Sequence, residues 1–406
     1  MKDIRFWFAY QIIAGFGSAP AYSTIITSLL DVSFIHQRGS ALGFFALVLI
    51  SGNFLPPIAA GYIVDNQGWQ WCFYYLLIFF GLSCLLLLFT AEETGFARAT
   101  HKARSAINGI AILQNHDSST KADRDVTKEN TAGSAVIEPV ASRAERSAYE
   151  DAEKLSYYQK MGLYRENPDI KTGYWRLTFS VFKMALLPAA IWMTILFSIA
   201  SFVVGVILGT LSSFFAEPPY NFSPSAMGLM FLALLIGAVI GSCWGGPFTD
   251  WLLLRLARRN GGLYEPEHRL YAYTIVPFLG AGGILLYGIG ADQGLHWTIP
   301  CLGLLLVGIY LDASTPIAMG YALDSYSGLE DEILQLANVL RNVLGGAFSF
   351  GLQPWINHSG RRNTTICIAV MVFTFNITSI GFQLWGKRIR SMMAPTYYKL
   401  NDSIHK

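Results

Sequence analysis

The stretch GGPFTDWLLLRLARRNGGLYEPEHRL, from Gly245 to Leu270, separates two strongly apolar runs. It carries one aspartate, four arginines, two glutamates and a histidine. Charge at that density between two oily runs is the pattern of a loop joining membrane spans. The runs are long enough to cross a bilayer, and the cations select the face on which the loop lies. The rest of the chain agrees. Of its 406 residues, 53% are hydrophobic and 14% charged, against about 25% charged in a soluble domain. Mean hydropathy is +0.39. Residues 97–170 alone hold 11 of the 29 Lys+Arg and 11 of the 27 Asp+Glu, so the remainder is greasier still. This is the composition of a polytopic membrane protein, and a net charge of +2 gives no footing for nucleic acid as a partner.

A membrane helix takes about 20 mostly apolar residues. Nine runs meet that need: Phe6–Leu30, Ala41–Val64, Trp69–Phe89, Pro188–Phe214, Ser225–Trp244, Tyr271–Gly290, Thr298–Leu323, Ile333–Trp355 and Thr364–Leu384. The expected fold class is therefore an all-α, multi-pass membrane protein with about nine transmembrane helices. Cys72, Cys84, Cys243, Cys301 and Cys367 all fall inside apolar runs without metal-ligand spacing, and read as small packing residues. The start has no short apolar core with a cleavage site and continues into a full span.

Cations orient the spans. Arg38, the 95–184 segment, the cluster Arg255, Arg258, Arg259 and Arg269, and the tail GKRIR mark cytoplasmic loops. The loops at 65–68, 216–222 and 291–296 hold no Lys or Arg and read as external. NHSGRRN at 357–363 is a basic exception on the external side, outvoted by the rest; its Asn357-His358-Ser359 is an acceptor sequon close to the membrane. With the tail inside, nine spans leave the N-terminus outside with Lys2 and Arg5 on the wrong face, so the chain reads as beginning in the middle of something. Four regions follow. Residues 1–94 are a partial N-terminal bundle, and 95–184 a largely disordered cytoplasmic linker that cannot bury enough apolar surface to order itself. Residues 185–390 are a six-helix bundle, and 391–406 a cytoplasmic tail.

Three spans, a long central loop and six spans resemble a major facilitator superfamily transporter from its fourth span onward, an incomplete major facilitator fold. The motifs carry the likeness. Gly43, Gly52, Pro56, Pro57 and Gly61 keep the spacing of the antiporter glycine pattern in the family's fifth span, with Pro56 and Ala60 replacing two glycines. Small residues let helices approach closely, and proline removes a backbone hydrogen bond. Gln11, Gly15, Gly17 and Ala19 resemble a fourth-span segment in which Gln11 stands for the usual arginine. Glu93, Thr94 and Arg98 resemble a sixth-span ending. With YALDSY and YEPEHRL, the combination resembles the fungal drug:proton antiporter-1 family, in its histidinol, polyamine and small-cation branch. The resemblance implies a proton-coupled carrier working by alternating access, in the plasma membrane, with a cationic small molecule and protons as partners besides the lipid bilayer.

Within the resemblance the opening stretch is a gating loop, with Gly246, Asp250, Arg255, Arg258 and Arg259 as its elements. Gly245-Gly246-Pro247 is expected to end the helix and turn the backbone. Asp250 can accept hydrogen bonds from the positive N-terminus of a facing helix. The arginines can pair with carboxylates across a domain interface or anchor in lipid headgroups; a purely topological role remains open for them.

Polar groups inside the bilayer are costly and point to function. Asp312 is about 14 residues, so about 21 Å, into its span. Its carboxylate can hold a proton or a cation in exchange, or simply bond to Ser314 or Thr315. Asn53, Gln11, Tyr22, Asn338 and Arg341 can line a cavity; Arg341 can also snorkel to the surface or pair with Asp324. Trp69, Trp71, Trp297 and Trp385 read as interfacial belts. No catalytic arrangement has usable spacing, so no enzyme, cofactor or metal site is expected. The expected function is antiport of an organic cation, polyamine or drug-like molecule. The competing reading is a truncated, non-transporting remnant or regulatory membrane partner. A channel or receptor lacks the repeated pore element it would need.

Overall fold

The computed structural model describes residues 13, 15, 25–26, 28–29, 38–90, 174–262, 265–326 and 328–405. Gln11, Tyr22, most of the Phe6–Leu30 run, the Glu93–Arg98 motif and residues 95–173 of the expected linker lie outside the described residues. Among those described, every regular element is helical. In chain order they are α1 (Arg38–Gln67), α2 (Gln70–Thr90), α3 (Tyr174–Lys183), α4 (Pro188–Phe215), α5 (Pro224–Cys243), α6 (Thr249–Arg259), α7 (Leu270–Tyr273), α8 (Val276–Asp292), α9 (Thr298–Ser325), α10 (Glu330–Ile377) and α11 (Ser379–His405). Seven helical runs among them are long and apolar enough to cross a membrane, the last being Glu330–Asn401.

Local chemistry sets the helix ends. Ser223 caps α5, its Oγ accepting the Ala226 N–H at 3.3 Å, and Pro224 follows at the first helical position, where no N–H is needed. α4 likewise starts on Pro188. α10 turns at Gly360, whose φ of 79° suits a residue without Cβ.

Three boundaries differ from expectation. Tyr174–Lys183, near the end of the expected linker, form α3. The expected tail is helical, since α11 runs to His405. Gly245-Gly246-Pro247 does not end its helix. The chain passes through a π-turn at Trp244–Phe248 and continues as α6. A π-turn absorbs the missing proline N–H, and the Thr249 hydroxyl donates to the Trp244 carbonyl at 2.8 Å. Termination comes later, at Asn260-Gly261-Gly262. Both glycines have positive φ, and the Gly262 N–H closes on the Ala257 carbonyl at 2.9 Å.

The basic NHSGRRN segment is also accounted for. Asn357–Ser359 sits in the helical turn before Gly360. Arg361 then pairs with Glu217 at 2.7 Å and stacks over Phe214 at 5.1 Å, so one of its two cations is neutralised by the acidic 216–222 loop. That pairing lessens the segment's opposition to placement on that loop's face of the membrane, while Arg362 stays exposed.

Glycine spacing builds the seam between α1 and the second bundle. Gly43 and Gly61 are 18 residues apart, about five helical turns at 3.6 residues each, and so share one face. A Cβ on Gly43 would lie 2.9 Å from the Gly246 Cα, and one on Gly61 2.6 Å from the Pro224 carbonyl. Gly52, nine residues from each, falls half a turn away and faces open space. On the other helix Gly228 meets Pro57 and Ile58 of α1, while Gly237, again half a turn round, meets Leu305 and Gly308 of α9. α5 is thus clasped between α1 and α9, with Phe54 stacked on Phe231 across the seam at 5.8 Å. α1 runs unbroken through Pro56 and Pro57. Trp69, Trp71, Trp297 and Trp385 are exposed.

Gly61→Leu is expected to wedge this seam apart, at about 1–3 kcal/mol for overpacking, while Gly52→Leu is tolerated. Melting temperatures in detergent compare the two; equal losses would contradict the seam geometry.

Candidate functional site

One end of the α1–α5 seam holds a cluster of charges. Asp250 opens α6 and is buried against α1. Its Oδ2 accepts the Ser40 backbone N–H and the Ser40 hydroxyl, both at 2.7 Å. Ser40 lies in the first turn of α1, where backbone N–H groups have no intrahelical acceptor and the dipole is positive. Gly39 makes the approach possible, because a Cβ there would collide with the carboxylate and with Arg269. Beside it the Ser242 hydroxyl donates to the Gly43 carbonyl at 3.0 Å.

Arg269 completes the cluster. It is 1% exposed, with Nη1 3.6 Å from Asp250 Oδ1 and Nε 2.8 Å from Asp324 Oδ2. Two further pairs tie the same connection to α11. Arg390 binds Glu267 through two bonds of 3.0 Å, and Lys387 meets Glu265 at 2.7 Å. The Lys387 hydrogen bond is the main reason the Glu265 carboxyl titrates below the usual carboxylate range. A lowered folded-state pKa contributes stability at neutral pH that fades as the pH falls through the folded value.

The structure brings Gly246 and Asp250 of the expected gating loop to the seam. It leaves Arg255, Arg258 and Arg259 outside it, exposed on the surface of α6. The cation of the cluster is Arg269, which sequence reasoning counted only as a topological charge. No feature of the sequence separated it from the other arginines of the loop; it lies between Asp250, in the first turn of α6, and Asp324, in the last turn of α9, only once the chain is folded.

At the other end of α1, Asp65 accepts the Ser225 N–H at 3.0 Å, in the first turn of α5. Both ends of the seam therefore carry a carboxylate set on a helix N-terminus, each supplied by the opposite helix.

Asp312 lies within α9 and is fully buried. Neither carboxylate oxygen has a hydrogen-bond partner among the described residues. The Ser314 and Thr315 hydroxyls both donate instead to the Leu311 carbonyl, at 3.3 and 3.1 Å. Asp312 backs onto Gly241 of α5, where a Cβ would sit 3.0 Å from its own. Neighbouring polar side chains do pair: Tyr273 donates to Asn376, Asn376 reaches Tyr310, and Thr210 meets Tyr287.

Thr315 and Met319, three and seven residues on, share the Asp312 face of α9. With Met193, Leu196, Phe197, Ser314 and Ala318 they line a narrow, closely packed cleft between α4 and α9, and Asp312 itself is not part of its lining. Arg341 stacks its guanidinium over Phe197 at 5.1 Å and reaches Asn338 at 3.4 Å, which brings both residues to the rim of this cleft. Asn53 stays apart, exposed and bonded to the Leu49 carbonyl of its own helix. No cluster of metal-ligating side chains occurs among the described residues.

Comparison with known proteins agrees with this architecture. The Major Facilitator Superfamily profile matches residues 2–350. An uncharacterized MFS-type transporter of Schizosaccharomyces pombe is 30% identical over 401 residues, which cover 96% of this chain and 69% of that protein. Protein HOL1 of Saccharomyces cerevisiae is 28% identical over 94% of this chain and 70% of its own length. The efflux pump radE of Floropilus chiversii is 23% identical over 94% of this chain and 63% of its own length.

Removing one partner of a buried ion pair strands the other, so Arg269→Ala is expected to cost about 3–5 kcal/mol. Arg269→Met combined with Asp324→Leu should recover much of that loss, as read from melting temperatures of the purified protein. No recovery would contradict the pairing.

Proposed function

The chain belongs to the major facilitator superfamily, and from that premise we propose that it is a secondary carrier exchanging protons for an organic cation, polyamine or drug-like molecule by alternating access. The family's members are transporters and not enzymes, and the chain is an integral multi-pass membrane protein. The finer reading rests on one observation: a fully buried carboxyl in mid-span with both oxygens unbonded among the described residues.

An ionised, unpaired carboxylate in a span costs about 2.5–3.5 kcal/mol on insertion scales, and more by other estimates. A proton or a cation relieves that cost, and one carboxyl accommodates one of them at a time. Asp312 is thus suited to exchange. The cleft beside it, between the α4 and α9 walls, offers apolar contact through Met193, Leu196 and Phe197 and is bordered by Ser314 and Thr315. Asn338 and Arg341 stand at its rim. Alternating access places the substrate site near the midplane, and both walls of this cleft come from the second bundle.

The Asp250–Ser40–Arg269 cluster supplies the gate in this reading. It holds the α1 N-terminus to the second bundle at the face that the loop cations mark as cytoplasmic, and it must break for the bundles to part there. The Asp65–Ser225 contact is its counterpart at the opposite face. In the same reading the protein resides in the plasma membrane, as the resemblance implies, with the C-terminus on the side of the loop cations. Gln11 and Tyr22 remain candidates for the substrate path.

Asp312→Asn is expected to abolish proton-driven uptake of labelled organic cations and to flatten its dependence on external pH. Asp250→Asn should keep the site and weaken the gate. Vesicle transport at two pH values checks both; normal, pH-dependent exchange by Asp312→Asn would remove Asp312 from the mechanism.

A further inference from the structure

The charged face that the gate leaves unused has a structure of its own. Trp244, Phe248, Trp251 and Arg255 follow at intervals of four, three and four residues, which places them in one row along the helix. Trp244 stacks on Phe248 at 4.5 Å, Phe248 on Trp251 at 5.8 Å, and the Arg255 guanidinium lies over Trp251 at 5.2 Å. Arg258 and Arg259 continue the row by one turn. Trp251, Leu254 and all three arginines are exposed. None of the three arginines has an ion-pair partner among the described residues. The nearby acids are engaged elsewhere: Asp250 with Ser40 and Arg269, Glu265 with Lys387, Glu267 with Arg390.

Depth follows from length. Pro224 to Trp244 is 20 residues, about 30 Å of helix, and spans the hydrocarbon core. The row therefore starts at the headgroup level and runs outward. Helical side chains lean toward the N-terminus, here back toward the bilayer. Arg255 does so over Trp251. An aromatic ring at the interface with cations stacked outward of it presents apolar surface to acyl chains and a positive pocket to headgroup phosphates.

We infer that the outward face of α6, built by Trp251, Arg255, Arg258 and Arg259, binds the headgroup of an anionic phospholipid. The lipid chains lie along Trp244, Phe248 and Trp251, and the phosphate takes the guanidinium groups, whose planar forks suit it. The site is separate from the Asp250 gate, since its side chains are exposed while Asp250 is buried against α1.

Native mass spectrometry of the purified full chain, equilibrated with phosphatidylserine and phosphatidylcholine, tests this without requiring transport. The wild type should retain phosphatidylserine over phosphatidylcholine. Arg255→Gln/Arg258→Gln/Arg259→Gln should bind it at least about tenfold more weakly, and Trp251→Ala should lose part of it. Arg362→Gln, at an exposed arginine elsewhere, should change nothing. Retention untouched by the triple substitution, equal retention of the two lipids, equal loss in Arg362→Gln, or displacement by millimolar inorganic phosphate would overturn the inference. Because the readout is lipid retention, a failure of the transport reading leaves it standing, and the converse holds.

Discussion

A single carboxylate, that of Asp250, is set at the positive end of α1 and beside a fully buried arginine. Much of the seam is arranged to allow it. Two hydrogen bonds to an ionised group contribute about 1.5–3 kcal/mol each. Their sum is of the same order as the ~5.5 kcal/mol that carries a two-state equilibrium from one extreme to the other. A contact of that size is strong enough to hold one arrangement of two bundles and weak enough to be broken. Arg269 adds to it while standing between two aspartates, so it is held in place whether or not Asp250 stays docked.

The glycines give that carboxylate its reach. Gly39 leaves room for it, and Gly43, Gly246, Gly61 and Gly228 bring the α1 and α5 backbones together along the length of the seam. Gly237 and Gly241, on the reverse of α5, do the same toward α9 and set the helix backbone directly against Asp312. One helix thus touches both the gate and the buried carboxyl. Under the proposed function it is the element through which binding at Asp312 would bias the contact at Asp250. Such coupling requires the ligand to favour one seam arrangement over the other.

Much of the architecture was legible in apolar run length. The runs from Ala41, Trp69, Pro188, Ser225 and Thr298 return as helices within a few residues of their expected ends, because twenty apolar residues in lipid have few alternatives to a helix. Turn chemistry was less legible. Glycine-glycine-proline reads locally as a stop, yet a π-turn carried the helix through, and the stop lay at Gly261 and Gly262. The charged site was legible in part. Asp250 could be placed because a carboxylate near a helix start suggests its own partner, the N–H groups of another helix. Arg269 could not be told from Arg255, Arg258 and Arg259. All four are arginines of one loop, and only the fold decides which enters the cluster and which three face outward.

The central claim is that the Asp250 contact holds the seam and is released as the bundles part. The most direct measurement is the distance between spin labels at Val48 on α1 and Leu254 on α6, two exposed positions on either side of the contact. The account predicts one dominant short distance in the wild type and a second, longer population in Asp250→Asn. A distribution unchanged by that substitution would contradict it.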